Sequence, residues 1–319
     1  MTKVLTIGEV LVEIVATKKG NGFRAPVPLI GPFPSGAPAI FIDQVGKLGV
    51  SAAIISRVGD DDFGHVNLDR LRADGVDISG IEIDPQGTTG SAFVRYREDG
   101  SRAFVFNIRH SACGTISLTF ENRKTIETCT HLHVMGTALY APSVVETVMA
   151  ALDSVKARGG TVSFDPNLRP EIMNSPGMRE ALSTVLARTD LFLPSGEELF
   201  LFTTAKEERA AIDELLGTGI EAIVVKRGAA GARYYDAARS LTHPGFAVEE
   251  LDPTGAGDSF GAAFVSFWLN GSAPAEALTY AAAAGARAVT KIGPMEGTSN
   301  RAELDALIEG AGPIAIAGQ

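Results

Sequence analysis

Residues 250–261 read Glu-Leu-Asp-Pro-Thr-Gly-Ala-Gly-Asp-Ser-Phe-Gly, the most informative stretch in the chain. An almost wholly apolar run follows, with Phe260, Phe264, Phe267 and Trp268 at helical spacing. A glycine turn feeding a buried helix aims several free N–H groups and the positive end of the helix dipole at one spot, which suits an anion such as phosphate. Gly255 and Gly257 let the main chain approach that anion closely. Asp258 sets the turn apart, because a carboxylate repels phosphate unless it faces another group, such as a hydroxyl that must lose its proton. On that reading the N–H groups stabilise a moving phosphoryl while Asp258 accepts the proton of the attacking hydroxyl. On the alternative reading Asp258 is merely an N-cap carboxylate. A dinucleotide site fits poorly, since the glycines are spaced G-x-G-x-x-x-G with an acid after the second. A Walker A loop fails for want of Gly-Lys-Ser/Thr.

The rest of the chain must hold this turn in place, and its pattern alternates. Val4–Ile7, Ala52–Val58, Leu132–Met135, Thr161–Phe164, Leu191–Leu193 and Ile223–Lys226 are short β-branched runs bounded by Gly, Asp or Pro. Between several of them lie helical periods. One covers Pro142–Arg158, with Val145, Val148, Met149, Leu152 and Val155 on one face; another carries Phe41, Val45 and Leu48; a third is Val66–Ala73. This alternation predicts an α/β fold with a mainly parallel sheet and helices on both faces. Two segments break the rhythm. Ser91–Tyr96 and Arg102–Ile108 flank a Glu98-Asp99-Gly100-Ser101 turn as an antiparallel hairpin, and residues 16–34 hold Gly20, Gly22, Gly31 and four prolines. Together they predict a small excursion from the main sheet that serves as a lid.

Composition narrows the class. The 319 residues are 45% hydrophobic and 21% charged, which suits one large domain or two modest ones. Thirty-eight acids against 28 bases leave a net charge of −10, which argues against a general nucleic-acid binder. Two cysteines, Cys113 and Cys129, are too few for a disulfide framework or a thiolate metal site. Glu9 and Glu13 interrupt the first apolar run, and no stretch of about 18 apolar residues follows, so a cytoplasmic protein without a membrane span is expected.

Six blocks resemble, in order, those of the ribokinase (PfkB) family of carbohydrate kinases, and they reach across nearly the whole chain. Residues 252–264, Asp-Pro-Thr-Gly-Ala-Gly-Asp-Ser-Phe-Gly-Ala-Ala-Phe, match the signature near its carboxyl end. Ser35–Gly49 resembles its amino-terminal signature, and Arg57–Gly64 the block after it. Thr89-Gly90 with residues 99–106 resembles the lid hairpin, and Phe164–Arg169 and Lys226–Ala232 match two further blocks. The resemblance implies a single ribokinase-like three-layer α/β/α domain over residues 1–319, its β-lid drawn from about 12–34 and 88–110. It implies ATP with Mg²⁺ as phosphoryl donor, with K⁺ as a further ion. Asp258 would be the catalytic base, and Gly255, Ala256 and Gly257 the anion hole. Lys226, Gly228 and Gly231 would line the nucleotide site, with Thr254, Asn167 and the turn glycines. Glu198 would act on magnesium through water, and Asp252 would face the monovalent cation.

Several positions depart from the family pattern. Ser35 replaces the first Gly of the amino-terminal signature, and Ile40 stands where an Asn usually binds sugar hydroxyls. Glu13 takes the place of a common Asp, Ser195 of an Asn, and Ala282 of an Asn beside adenine. The hydroxyl pattern recognised should therefore differ from that of ribose or adenosine. Glu13, Ser35, Gly36, Ile40, Asp258 and Arg169 are the sugar-side candidates. The Arg169 guanidinium is either a clamp for substrate oxygen or a surface group beside a proline turn. Asn107, Arg109 and His110, at the end of the lid hairpin, are either substrate contacts or solvated polar groups. His131 and His133 would share one face of a strand, as structural residues rather than metal ligands. The run Asp60-Asp61-Asp62 precedes a helix whose dipole it complements.

Phe164–Arg169 resembles the fructokinase and 2-keto-3-deoxygluconate kinase branches, and residues 34–44 the tagatose kinase branch. The expected function is transfer of the γ-phosphoryl of ATP to a primary hydroxyl of a hexose-sized sugar, with a ketohexose such as tagatose or fructose preferred. A sugar- or nucleotide-binding sensor without turnover is the rival from another class. Exposed lid edges make a homodimer the expected assembly.

Overall fold

The computed structural model describes residues 3–20, 22–99, 102–168, 177–311 and 317–318. Arg169, the clamp candidate, lies outside the described residues. From the amino end run β1 (Lys3–Ile7), β2 (Leu11–Ala16), β3 (Leu29–Ser35), α1 (Ala37–Lys47), β4 (Ser51–Gly59), α2 (Asp62–Ala73) and β5 (Val76–Asp84). The hairpin β6 (Gly90–Tyr96) and β7 (Arg102–Asn107) comes next, then α3 (Phe120–Thr128), β8 (His131–Met135), α4 (Pro142–Ala157) and β9 (Thr161–Asp165). The second half holds α5 (Met178–Leu186), β10 (Leu191–Phe192), α6 (Glu208–Leu216), β11 (Ala222–Lys226), β12 (Ala232–Asp236) and β13 (Ser240–His243). It closes with α7 (Ala256–Leu269), α8 (Pro274–Val289), α9 (Arg301–Ala311) and β14 (Ala317–Gly318).

Ten strands form the main sheet in the order β14-β13-β12-β11-β10-β9-β8-β1-β4-β5. Neighbours from β11 through to β5 run parallel, and β12, β13 and β14 add an antiparallel margin. The parallel strands are buried on both faces, and alternate residues feed two separate cores. Val4, Ala52 and Ile54 pack with α1, α2, α7, α8 and α9, while Leu5, Ala53 and Ile55 pack with α3, α4, α5 and α6. The result is the ribokinase-like α/β/α sandwich with a mainly parallel sheet. The expected elements are present with ends moved by one or two residues, except that the helix expected from Val66 begins four residues earlier, at Asp62. The strand pattern did not announce β5, β12 or β13.

Chain order reverses beside β1. The chain runs from β1 outward to β4 and β5, then returns to β8 on the other side of β1. Such a switch point leaves a crevice at the carboxyl ends of the two strands, because their crossovers leave to opposite sides.

A second sheet has the order β3-β2-β6-β7, with β2 and β6 parallel and both edges antiparallel. It comes from the two segments that broke the helical rhythm. The proline-rich stretch does form a strand at its end, as β3 on the edge, where a residue without an N–H is tolerated. The apolar run at the start of α7 is buried, as core packing requires.

Candidate active site

The crevice beside β1 holds the first cavity, about 420 Å³ in volume. Glu9 enters just after β1, and Thr137 and Tyr140 after β8. Leu11, Glu13, Ser35, Ala92, Phe104 and Phe106 come from the small sheet that roofs it. Gly36, Ala37 and Ile40 come from the start of α1, and Thr254 and Asp258 from the start of α7. Gly36 has a φ of 110° and leads straight into α1. A Cβ there would strike the Glu9 carbonyl, so only glycine lets the roof meet the floor at this corner.

Glu13 is buried, and its Oε2 accepts a hydrogen bond from Ser35 Oγ at 3.2 Å. Thr137 is 5% exposed, and its hydroxyl has no hydrogen-bond partner among the described residues. A buried hydroxyl facing a cavity in this state is suited to a polar ligand. Tyr140 donates its hydroxyl to the Cys113 carbonyl at 3.0 Å, so it offers the cavity mainly its ring.

The second cavity, about 530 Å³, lies on the other side of the same turn. Its walls are Lys226, Gly228, Ala229 and Gly231 from the end of β11, Pro244–Val248 and Glu250, and Ala282, Gly285, Ala286 and Val289 from α8. Pro253, Ala256 and Gly257 close it against the first cavity. Apart from Lys226 and Glu250 these side chains are apolar or absent, which fits a flat aromatic base and a phosphate chain held by main chain.

The turn between the cavities is built by glycine. Gly255 is the N-cap of α7 with a φ of 81°, and a Cβ there would meet the Pro294 carbonyl oxygen. This places Asp258 in the first turn of α7, not at its cap, so the reading of Asp258 as an N-cap carboxylate is not met. Asp258 is 5% exposed, lines the first cavity, and accepts a hydrogen bond from Asn167 Nδ2 at 2.8 Å on Oδ1. A donor on a carboxylate favours the ionised form that a base needs. Lys226 is ion-paired with the buried Asp165, and its Nζ lies 3.8 Å from where a Cβ of Gly257 would stand. Asp165 Oδ1 also accepts the Asn167 N–H at 3.1 Å, so Lys226, Asp165, Asn167 and Asp258 form one connected polar row beneath the turn.

Other expected residues stand elsewhere. Asn167 lines neither cavity; held at a φ of 41°, it turns its amide to Asp258. Thr254 faces the first cavity and donates its hydroxyl to Asp252 Oδ1 at 2.7 Å, so it belongs to the wall of that cavity and to the brace of the turn. Asp252 receives the Thr254 N–H on Oδ1 at 3.0 Å and the Gly293 N–H on Oδ2 at 3.1 Å. Glu198 also lines neither cavity. Its oxygens accept the N–H groups of Leu168 and Ser195, each at 2.7 Å. Burial, with the nearby Asp165 charge adding to it, pushes the Glu198 carboxyl above its usual range. Arg109 reaches the first cavity, but Asn107 is exposed and absent from its wall. Strand alternation accounts for Asn107, since Phe104 and Phe106 turn inward and the position beside them turns out, whereas Arg109 lies past the end of β7, outside that alternation.

His131 and His133 are fully buried and engaged with the sheet. His131 contacts Thr161 Oγ1 at 2.8 Å and Ser163 Oγ at 2.7 Å, and His133 contacts Ser163 Oγ at 2.7 Å while stacking on Phe41. Burial pushes the His131 imidazole down to about 3, and holds His133 well below its ordinary value, so both are neutral. Asp61 caps α2 by accepting the Gly64 N–H at 2.8 Å. No helix among the described residues is long and apolar enough to cross a membrane.

Sequence reasoning did not single out Glu9, Thr137, Phe104 or Phe106 as site residues. Glu9 had a signal, a lone carboxylate straight after an apolar strand that ends at the switch point. Thr137 had none, since a single hydroxyl in a turn carries no spacing.

With this geometry in hand, the chain can be set beside known proteins. The model of the pfkB family carbohydrate kinases matches residues 1–301. The chain is 33% identical over 308 residues to the probable fructokinase-7 of Arabidopsis thaliana, across 92% of this chain and 88% of that one. It is 31% identical over 319 residues to fructokinase-1 of Zea mays, across 97% and 98% of the two chains. A structure from E. coli described as "a putative Ribokinase II in complex with ATP and Mg+2" superposes with a TM-score of 0.91 at 48% identity, across 97% of this chain and 99% of that one. The fructokinase of Vibrio cholerae O395 with fructose, ADP and calcium ion superposes with a TM-score of 0.82 at 28% identity, across 96% and 99%.

Proposed function

Because the chain belongs to the pfkB family of carbohydrate kinases, and is therefore a sugar phosphotransferase, we propose that it moves the γ-phosphoryl of ATP to a primary hydroxyl of a hexose-sized ketose, with fructose the first candidate. The observation that carries this reading is the pair of cavities of about 420 and 530 Å³ that share one glycine turn, with Asp258 on the wall of the smaller. A hexose fits the first and a nucleotide the second. Both the Arabidopsis thaliana and the Zea mays relatives carry the name fructokinase, and the Vibrio cholerae structure holds fructose.

Each residue then has work to do. The N–H groups at the start of α7 and the Lys226 ammonium take up charge on the transferring phosphoryl. Asp258, held in place by the Asn167 amide, takes the proton of the acceptor hydroxyl. Such a base typically contributes about 10²–10⁴-fold. Glu13, Ser35 and Thr137 orient the remaining hydroxyls, while Phe104 and Phe106 in the roof cover the sugar and exclude water. Ile40 packs under the turn, with Cγ2 3.3 Å from where a Cβ of Gly255 would stand, so it gives the sugar shape and no hydrogen bond. Magnesium, bound with the nucleotide, would screen the phosphate charge. Glu198, fixed by two main-chain N–H groups, is this chain's carboxylate for reaching it through water. A monovalent cation at the turn belongs to the same reading, with Asp252 Oδ2 the oxygen that would face it.

The test is ADP release with ATP, magnesium and a panel holding fructose, tagatose, 2-keto-3-deoxygluconate, ribose and glucose. Turnover highest with a ketohexose supports the reading, and turnover highest with the keto-acid moves the substrate to the acid sugars. Binding of sugar without turnover of any panel member would favour a sensor and contradict the kinase.

A further inference from the structure

The small sheet meets the glycine turn through its hairpin. Tyr96 ends β6 and Arg102 begins β7, and the two are register partners across the hairpin. Tyr96 Oη donates to Asp252 Oδ1 at 3.0 Å, and Arg102 Nη1 donates to Thr254 Oγ1 at 2.8 Å. Asp252 is 2% exposed, and its carboxylate also receives donors from Thr254 and Gly293. The roof therefore supplies donors to the two residues that brace the turn from outside. Neither Tyr96 nor Arg102 lines either cavity, so neither is a ligand contact.

We infer that Tyr96 and Arg102 are positioning residues that make the phosphate-binding turn depend on closure of the roof over the sugar. The inference rests on the reading that the turn receives the phosphoryl group. When the roof lifts, the buried Asp252 carboxylate loses the tyrosine donor and Thr254 loses the guanidinium, and a buried acceptor stripped of its donor is destabilised. The turn from Asp252 to Gly257 is then less firmly held, and its N–H groups are less well aimed. A sugar that draws Glu13, Ser35, Phe104 and Phe106 down over itself restores both bonds. Phosphoryl transfer is favoured when an acceptor is present, and transfer to water is disfavoured when it is absent.

Tyr96→Phe removes one hydroxyl and leaves the ring, so it reports on the bond with least disturbance to the fold; Arg102→Gln is its companion. With the best panel sugar, Tyr96→Phe is expected to lower kcat by about 10-fold and the double variant by up to about 100-fold, the range for bonds to charged groups. The KM for ATP should move by less than about 3-fold, since the nucleotide wall is untouched. Hydrogen exchange of the protein with sugar bound and no ATP supplies a readout that needs no turnover: the segment Asp252–Gly257 should exchange about 10-fold faster or more in Tyr96→Phe, with the core strands unchanged. Unchanged kcat and unchanged exchange in both variants would overturn the inference, even with an active wild type. Faster exchange in a protein that phosphorylates no sugar would support the brace while sinking the phosphoryl-transfer reading.

Discussion

The two cavities that share the glycine turn are built by opposite means. The cavity assigned to the nucleotide in the proposed reading is made by absence: Gly228, Gly231, Gly257 and Gly285, with Ala229, Ala256, Ala282 and Ala286, leave the main chain exposed to a ligand. The sugar side of the proposed reading is made by presence, with Glu13, Ser35 and Phe104 from the small sheet, Glu9 and Thr137 from the turns after β1 and β8, and Asp258 from α7. A phosphate chain is the same in every ATP and can be read by N–H groups and one ammonium. A sugar is defined by the order of its hydroxyls, and only side chains in fixed places can read that order. The departures from the family pattern fall largely on the second side, at Glu13, Ser35 and Ile40.

Substitutions that serve one side should leave the other alone. Asp258 serves both, and Asp258→Asn should lower kcat by at least about 10²-fold while the nucleotide Kd from titration calorimetry stays within about 3-fold. Near-normal turnover would remove this carboxylate from the chemistry. Gly255→Ala attacks the main-chain side. It places a Cβ against the Pro294 carbonyl at a φ of 81°. The strain should be about 1–3 kcal/mol. Steady-state kinetics should show kcat/KM for ATP down by about 10-fold, with sugar binding held. Equal losses for both substrates would show that the two sides are not separable. Thr137→Val attacks the side-chain side, and one hydrogen bond lost should raise the sugar KM by about 3- to 10-fold with the ATP KM unmoved. An unchanged sugar KM would mean that the hydroxyl never meets the acceptor.

The smallest effect concerns the sheet beneath both cavities. The folded-state pKa of His131 is depressed to about 3, below its ordinary 6.5. Below pH 6.5 the unfolded chain takes up a proton that the folded chain refuses, so stability is full above that value and is lost as pH falls towards 3. The slope should be at most about 1.4 kcal/mol per pH unit for each such imidazole. Melting temperatures measured from about pH 7 down to about pH 4.5 should therefore fall, and His131→Gln should flatten the fall. A profile identical in the two proteins would show that this imidazole is not held neutral.

The contrast between the cavities also explains what the sequence made legible. Gly255, Gly257 and Asp258 could be read because phosphate binding by main chain demands glycine at fixed spacing beside a helix start. The parallel strands could be read because burial on both faces demands runs such as Ala-Ala-Ile-Ile at 52–55. Asn167 was located but its bond to Asp258 was not foreseen, since nothing in Phe164–Arg169 says which way an amide turns when its backbone adopts a φ of 41°. Asn107 failed through a single step of strand register, which moves a side chain to the opposite face. Thr254 and Asp252 were read as ligand contacts, but their bracing of the turn was not legible, because it depends on Tyr96 and Arg102 some 150 residues earlier. β5 and β12 escaped because Val76–Asp84 and Ala232–Asp236 mix polar residues into their burial pattern at one margin of the sheet or the other.

The central claim is that Asp258 stands where an acceptor hydroxyl and a terminal phosphoryl meet. A crystal structure with the best panel sugar and a non-hydrolysable ATP analogue tests it most directly. The account predicts one primary hydroxyl of the sugar within about 3 Å of the Asp258 carboxylate and facing the terminal phosphorus across the Gly255–Gly257 turn. A sugar seated with its hydroxyls on Glu9 and Glu13 and none near Asp258, or a nucleotide whose phosphates avoid the turn, would contradict it.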